Sequence, residues 1–162
     1  MQIAASTNSL SIVLPNDEAT TRLGAVLAGL LKPGQTVLLE GPIGAGKTNL
    51  ARALIRARLG RTEDVPSPSF TLVQVYDHPD GDIWHADLYR LSHPDEVAEL
   101  GLEMAFRTAI CLVEWPDRLG RMVPAEAIHL RLGDMGEGRV ARVVAKASLI
   151  RDLALLWESG LT

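Results

Sequence analysis

Apolar and polar positions along this chain repeat with two different periods, and the changes of period divide it into elements. Leu23, Val26, Leu27 and Leu30 recur at helical spacing between Pro15-Asn16-Asp17-Glu18 and Lys32-Pro33-Gly34. Asn16 or Asp17 suits the cap of that helix, and the Pro-Gly pair stops it. Ser11–Leu14 alternates weakly, as an edge strand does. Gln35–Glu40 contains the unbroken run Val37-Leu38-Leu39, the pattern of a parallel strand buried on both faces. Leu50, Leu54 and Ala57 mark a second helix, ended by Gly60. Phe70–Tyr76 and Ile83–Ala86 read as hairpin strands around the turn Asp77–Asp82. Ser92-His93-Pro94-Asp95 opens a helix in the manner of a capping box, and Gly101 closes it. Ala109–Val113 is a second strongly apolar strand, ending at Glu114-Trp115-Pro116. Ile128–Leu132 and Val140–Ala145 flank a Gly-rich turn, Gly133–Gly138, and Leu149–Trp157 is a final amphipathic helix. Strands alternating with helices predict an α/β fold. The sheet should be mixed, with antiparallel pairing supplied by the hairpins and helices on both faces, in one domain over residues 1–162.

Between the first buried strand and its helix stands Gly41-Pro42-Ile43-Gly44-Ala45-Gly46-Lys47-Thr48, followed by Asn49. This is G-x-x-x-x-G-K-[ST] in strand–loop–helix context, the P-loop signature. Its glycines let successive N–H groups face one centre, and the loop delivers phosphate to a helix N-terminus. Lys47 is expected to bridge the outer phosphates and the Thr48 hydroxyl to hold Mg²⁺. The ligand read from this stretch is a nucleoside triphosphate.

Composition narrows the partners. Apolar residues make up 47% and charged residues 22% of the chain, an ordinary globular balance, and the net charge is −4. An acidic chain is a poor direct ligand for a nucleic-acid backbone, so any nucleic acid is expected to be met through a partner. The single cysteine, Cys111, lies in an apolar run and implies a buried thiol, no internal disulfide and a reducing compartment. No signal peptide or membrane span is legible, so the expected location is cytoplasmic.

A P-loop needs an acid at the end of a neighbouring strand, and two candidates stand in that position. Glu114 follows the apolar run Ala109–Val113, and Asp87 follows Ile83–Ala86. One would serve the metal and the other the γ-phosphate or an attacking water, with the assignment left open. Ser67, Ser69 and Thr71 lie in a Pro-rich loop where P-loop switch proteins sense the γ-phosphate. Arg90 is expected to pair with Asp87, a reach toward phosphate being the alternative. His78, His85, His93 and His129 show no metal-ligand spacing and read as surface or capping residues, and Trp115 as a core aromatic. A small-molecule kinase and a nucleotide-gated binding module share the P-loop, but no Arg-rich lid accompanies it here.

Four segments occur in order: Gly41–Thr48, Ser67-Pro68-Ser69-Phe70-Thr71-Leu72-Val73, His85-Ala86-Asp87-Leu88-Tyr89-Arg90-Leu91 and Cys111-Leu112-Val113-Glu114-Trp115. Together they resemble the TsaE family, formerly YjeE, the bacterial ATPases of tRNA threonylcarbamoyladenosine synthesis. The resemblance implies that Ile43–Thr48 bind ATP phosphates, that Thr48 and Glu114 coordinate Mg²⁺, and that Asp87 is a Walker-B-like acid. It also implies that Trp115 and Thr20 lie near the nucleotide and that Ser67–Thr71 form a switch. The partners it implies are TsaD and TsaB, with tRNA reached through them and hydrolysis resetting their complex. Ser69 and Asn49 stand where that family usually has threonine. Ser69 keeps the hydroxyl, whereas Asn49 alters a phosphate contact.

Overall fold

A computed structural model describes residues 7–160. Among these residues seven strands form one mixed sheet. They are β1 (Thr7–Leu14), β2 (Thr36–Glu40), β3 (Val73–Tyr76), β4 (Ile83–Asp87), β5 (Ile110–Glu114), β6 (Ile128–Met135) and β7 (Gly138–Lys146). In space they run β1-β7-β6-β2-β5-β4-β3. The central strands β6, β2, β5 and β4 are mutually parallel. The pairs β3–β4, β6–β7 and β1–β7 are antiparallel, so both hairpins extend the sheet toward its edges as expected.

The alternation along each central strand sends side chains into two separate cores. Val37, Leu39, Ile110 and Leu112 face α1 (Asp17–Leu30), α2 (Lys47–Leu59) and α5 (Ala147–Ser159), whose Leu27, Leu54 and Leu153 complete one cluster. Leu38, Ala86 and Val113 face the other way. They pack on Val97 of α3 (Pro94–Ala98), Leu102 of α4 (Leu102–Thr108) and Leu119 of a 3₁₀ helix, Pro116–Met122. Helices therefore cover both faces of the parallel block. Cys111 is wholly buried and free, and burial pushes its thiol up to about 12. Among the described residues no helix is long and apolar enough to cross a membrane.

Local chemistry explains most boundaries. The Asn16 side chain accepts from the Ala19 N–H at 2.9 Å, which selects Asn16 over Asp17 as the cap of α1. Several boundaries differ from the sequence expectation, among them β1, which begins at Thr7 rather than Ser11. β3 starts at Val73 rather than Phe70, because the chain from Ser69 to Thr71 is a turn closed by the Leu72 N–H on the Pro68 carbonyl. The helix opened at Ser92 ends at Ala98, and Gly101 begins α4 instead of closing a longer helix. His93 rather than Ser92 caps α3, its Nδ1 accepting from the Asp95 N–H. Finally, Gly133 and Asp134 remain in the ladder opposite Val140 and Arg139, so only Gly136-Glu137 turns. Gly136 takes φ 59°, as the first central residue of a tight hairpin turn requires.

Helices α1 and α2 approach closely at Gly24. A Cβ there would stand 2.7 Å from Ala53 Cβ and 2.8 Å from the Leu54 nitrogen, whereas one on Gly29 would meet nothing within 4 Å. Gly→Ala in a helix gains about 0.5–1 kcal/mol of intrinsic propensity. Overpacking against backbone costs about 1–3 kcal/mol, which outweighs that gain at Gly24 only. Urea unfolding should therefore find Gly24→Ala less stable, and Gly29→Ala slightly more stable, than the unsubstituted chain.

Candidate functional site

The loop between β2 and α2 turns back on itself through Gly41, Gly44 and Gly46, all at positive φ. Its closing contact is the Ala45 N–H on the Pro42 carbonyl at 3.1 Å, and Gly46 becomes the N-cap of α2. Lys47, the first residue of that helix, is 5% exposed. Its ammonium donates to the carbonyls of Gly41 and Pro42 and lies 3.7 Å from the centre of the Trp115 ring. Burial lowers the Lys47 pKa, opposed by the charges of Glu114, Asp87 and Asp117.

Glu114 ends β5 and is 2% exposed. The Thr48 hydroxyl lies 2.9 and 3.1 Å from its two carboxylate oxygens, and His85 Nε2 lies 2.7 Å from Oε2. A carboxylate can only accept, so His85 Nε2 donates to it. His85 is fully buried, and Nδ1 finds no partner among the described residues. The surface or capping reading therefore fails for His85. It holds for His78, His93 and His129, which bond the Asp80 N–H, the Asp95 N–H and Glu40. The available signal was the spacing of His85 and Asp87, which puts both on one face of β4.

Asp87 stands beside Glu114 in the β4–β5 ladder. One of its oxygens accepts from the Tyr89 N–H at 3.0 Å, and the other is 3.5 Å from Ser69 Oγ, which in turn lies 2.8 Å from Ser67 Oγ. Arg90 does not pair with Asp87: its guanidinium lies 5.1 Å from the Phe70 ring centre. An arginine over an aromatic face keeps its head group hydrated, which a buried carboxylate would forbid. Trp115 adopts φ 58° and ψ 55°, a conformation costing a bulky residue about 1–3 kcal/mol. That turn directs its ring toward Lys47 and Tyr89, the Tyr89 centroid being 4.9 Å away, so Trp115 is a wall of the site rather than a plain core aromatic.

One cavity of about 680 Å³ gathers Ile43, Gly44, Gly46, Lys47, Thr48, Asn49, Ser67, Ser69, Asp87, Glu114 and Trp115. Gly41 and Ala45 serve it from behind, through the bonds just described. Thr20 is absent from its wall. That residue is buried beside a second cavity, about 810 Å³, between α1, α2 and the loop after Gly60, and only Asn49 lines both. Thr71 is also absent, its hydroxyl accepting from the Gln74 amide at 3.1 Å. Arg139 of β7, which sequence reasoning missed, lines the first cavity. Thr48 and Glu114 offer the hard oxygen donors that suit Mg²⁺, a cation that normally keeps waters and phosphate oxygens as its other ligands. No group of three or more His, Cys, Asp or Glu side chains suited to a metal occurs among the described residues.

A glycine-bent loop running from a buried parallel strand into a helix, with acids at the ends of the next two strands on one side, β5 and β4, defines a P-loop α/β protein. The profile of the family described as "Threonylcarbamoyl adenosine biosynthesis protein TsaE" matches residues 14–142. The chain is 36% identical over 138 residues to the tRNA threonylcarbamoyladenosine biosynthesis protein TsaE of Rickettsia felis, covering 85% of this chain and 81% of the relative. It is 32% identical over 151 residues to the TsaE of Haemophilus influenzae, covering 90% and 95% of the two chains. The crystal structure of Bacillus subtilis YdiB superposes with a TM-score of 0.72 at 27% identity, covering 91% of this chain and 95% of that one. The chain belongs to the TsaE family.

Removing His85 would leave the Glu114 carboxylate buried with one hydroxyl partner. A buried acid stripped of a hydrogen-bonded partner costs about 2–4 kcal/mol. We expect His85→Ala to lower stability by that amount in urea titration, and His85→Gln, which restores a donor, to recover part of it.

Proposed function

We propose that this chain binds ATP and hydrolyses it slowly, as a component of the machinery that makes tRNA threonylcarbamoyladenosine. The observation that carries the reading is the convergence of Lys47, Thr48, Asp87 and Glu114 on one cavity in a member of the TsaE family. The names of the relatives support the pathway.

Incoming phosphate competes with the carbonyls of Gly41 and Pro42 for the Lys47 ammonium. The exchange favours phosphate, because a charge-assisted bond to an anion is roughly twice as strong as one to a neutral acceptor. The N–H groups of Ile43 to Thr48 serve the same anion site at the α2 N-terminus, the Ala45 N–H leaving the Pro42 carbonyl to do so. Thr48 and Glu114 would hold Mg²⁺, which would supply charge stabilisation at the phosphate oxygens. Because His85 already fixes one carboxylate oxygen, Glu114 meets its ligand preorganised. Asp87, anchored by the Tyr89 N–H and reached by Ser69, orients the attacking water and reads the switch segment Ser67–Thr71. Thr20 and Asn49 border the cleft that takes the nucleoside end.

The partners are TsaD and TsaB, with tRNA engaged through them, in keeping with the net charge of −4. Ile43, Phe70 and Tyr89 stand exposed on the rim of the phosphate cavity, where a partner can complete it. ATP hydrolysis measured with and without the two subunits tests this. We expect an intrinsic rate well below the roughly 1–100 s⁻¹ of kinases. Addition of the subunits should raise it at least about tenfold, and Lys47→Ala should abolish both rates. Rapid turnover by the chain alone, or no response to the subunits, would refute the proposal.

A further inference from the structure

The chain between α2 and β3 has little of its own to hold it in place. Among the described residues, positions 61–67 make no hydrogen bond from backbone to backbone, and Pro66 and Pro68 carry no N–H to offer. Two carbonyls of this stretch are met by arginine instead. Arg52 Nε donates to the Val65 carbonyl at 2.7 Å, and Arg56 Nε donates to the Glu63 carbonyl at 2.9 Å. The spacing of the two pairs matches. Arg52 and Arg56 stand one turn apart on α2, a rise of about 6 Å, and alternate residues of a chain drawn out beside it are at most about 7 Å apart. Arg52 Nη1 also lies 3.3 Å from Asn49 Oδ1, one turn nearer the P-loop.

This clamp governs the approach to the Ser67–Thr71 segment. Val65, which it holds, is 1% exposed and belongs to the core beneath α1 and α2. Two residues on, Ser67 begins the hydroxyl pair that reaches Asp87. The far end is fixed at β4, where the Asp87 N–H donates to the Leu72 carbonyl at 2.9 Å. Leu72 itself takes φ 68°, a conformation that persists in a bulky residue only where its surroundings impose it. The segment is therefore strung between one anchor on the P-loop helix and another on the strand that carries Asp87. Lys47 and Thr48 open that same helix, so the first anchor moves with them. Arg58 of α2 also donates to backbone carbonyls, but to those of Ala28 and Leu31 at the end of α1, away from the segment.

We propose that Arg52 is a positioning residue for hydrolysis: by fixing the Val65 carbonyl to α2 it holds Ser67 and Ser69 at Asp87, with Arg56 as the second rung of the clamp. The assignment rests on the ATP reading above. With the Val65 carbonyl released, the segment keeps only its β4 anchor, and Asp87 loses the hydroxyls beside its second oxygen. Neither arginine lines the P-loop cavity. Both line the second cavity, so a direct contact with the nucleoside is the competing role.

Three measurements on the unsubstituted chain, Arg52→Ala, Arg52→Lys and Arg58→Ala separate these roles: amide exchange resolved by NMR, calorimetric titration with ATP, and steady-state hydrolysis with the subunits present. The Leu72 amide, which closes the turn on the Pro68 carbonyl, reports on the segment. We expect Arg52→Ala to speed its exchange at least about tenfold, the scale of a lost hydrogen bond to a charged group, while the amides of β2 and β5 stay protected. The same variant should lower kcat at least about tenfold with its ATP affinity unchanged. Arg52→Lys, which keeps a donor for the Val65 carbonyl, should recover part of both effects. Arg58→Ala should lose stability to urea without either effect. An unchanged kcat or an unchanged Leu72 exchange rate in Arg52→Ala overturns the assignment. So does weakened ATP affinity at unchanged kcat, the mark of a nucleoside contact. An equal fall of kcat in Arg58→Ala overturns it too, because that marks general loosening. Failure of the unsubstituted chain to hydrolyse ATP with its subunits would instead sink the underlying reading.

Discussion

The hydrogen bonds that meet on the Glu114 carboxylate hold the working end of this molecule together. Thr48 brings the first turn of α2 to it, and His85 brings β4. Three elements distant in sequence thus share one buried anion. Such a group is costly to desolvate, and it is tolerated because its oxygens are met by donors. Lys47 and Asp87 complete a small polar island, and most of the buried polar side chains belong to it. The rest of the interior is apolar. Burial also keeps these charges unscreened, so each acts on the others more strongly than in water.

The parallel block makes that convergence possible. β2, β5 and β4 lie side by side and point the same way, so the loop after β2, Glu114 and Asp87 arrive at one edge of the sheet. The hairpins have a different part. β3–β4 carries the Ser67–Thr71 segment past Asp87, and β6–β7 carries Arg139 over the P-loop. A parallel sheet alone would leave the loop bordered only by its own helix and the two acids. The antiparallel additions wall it from both sides.

Trp115 and Lys47 show how a buried ammonium is held at the start of α2. The ammonium rests on loop carbonyls and an aromatic face, contacts that are individually weaker than a bond to phosphate. The strained backbone of Trp115 places the ring where it can give up that contact.

Residues adjacent in the chain determined the P-loop, the buried strands β2 and β5, the two hairpins and the positions of Glu114 and Asp87 at strand ends. Glycine spacing, apolar runs and turn residues act over a few positions, so they are legible without the fold. Short-range ambiguity blurred Gly101 and the β6–β7 turn, where glycine suits a turn, a helix start or a paired strand equally. The tertiary structure alone decided that His85 is buried against Glu114, that Arg90 covers Phe70 rather than meeting Asp87, and that Thr20 and Thr71 lie off the P-loop cavity. Arg139 is the clearest case. Nothing around it in sequence distinguishes it from Arg142. Ladder register sets the two on opposite faces of β7, and register is a property of paired strands.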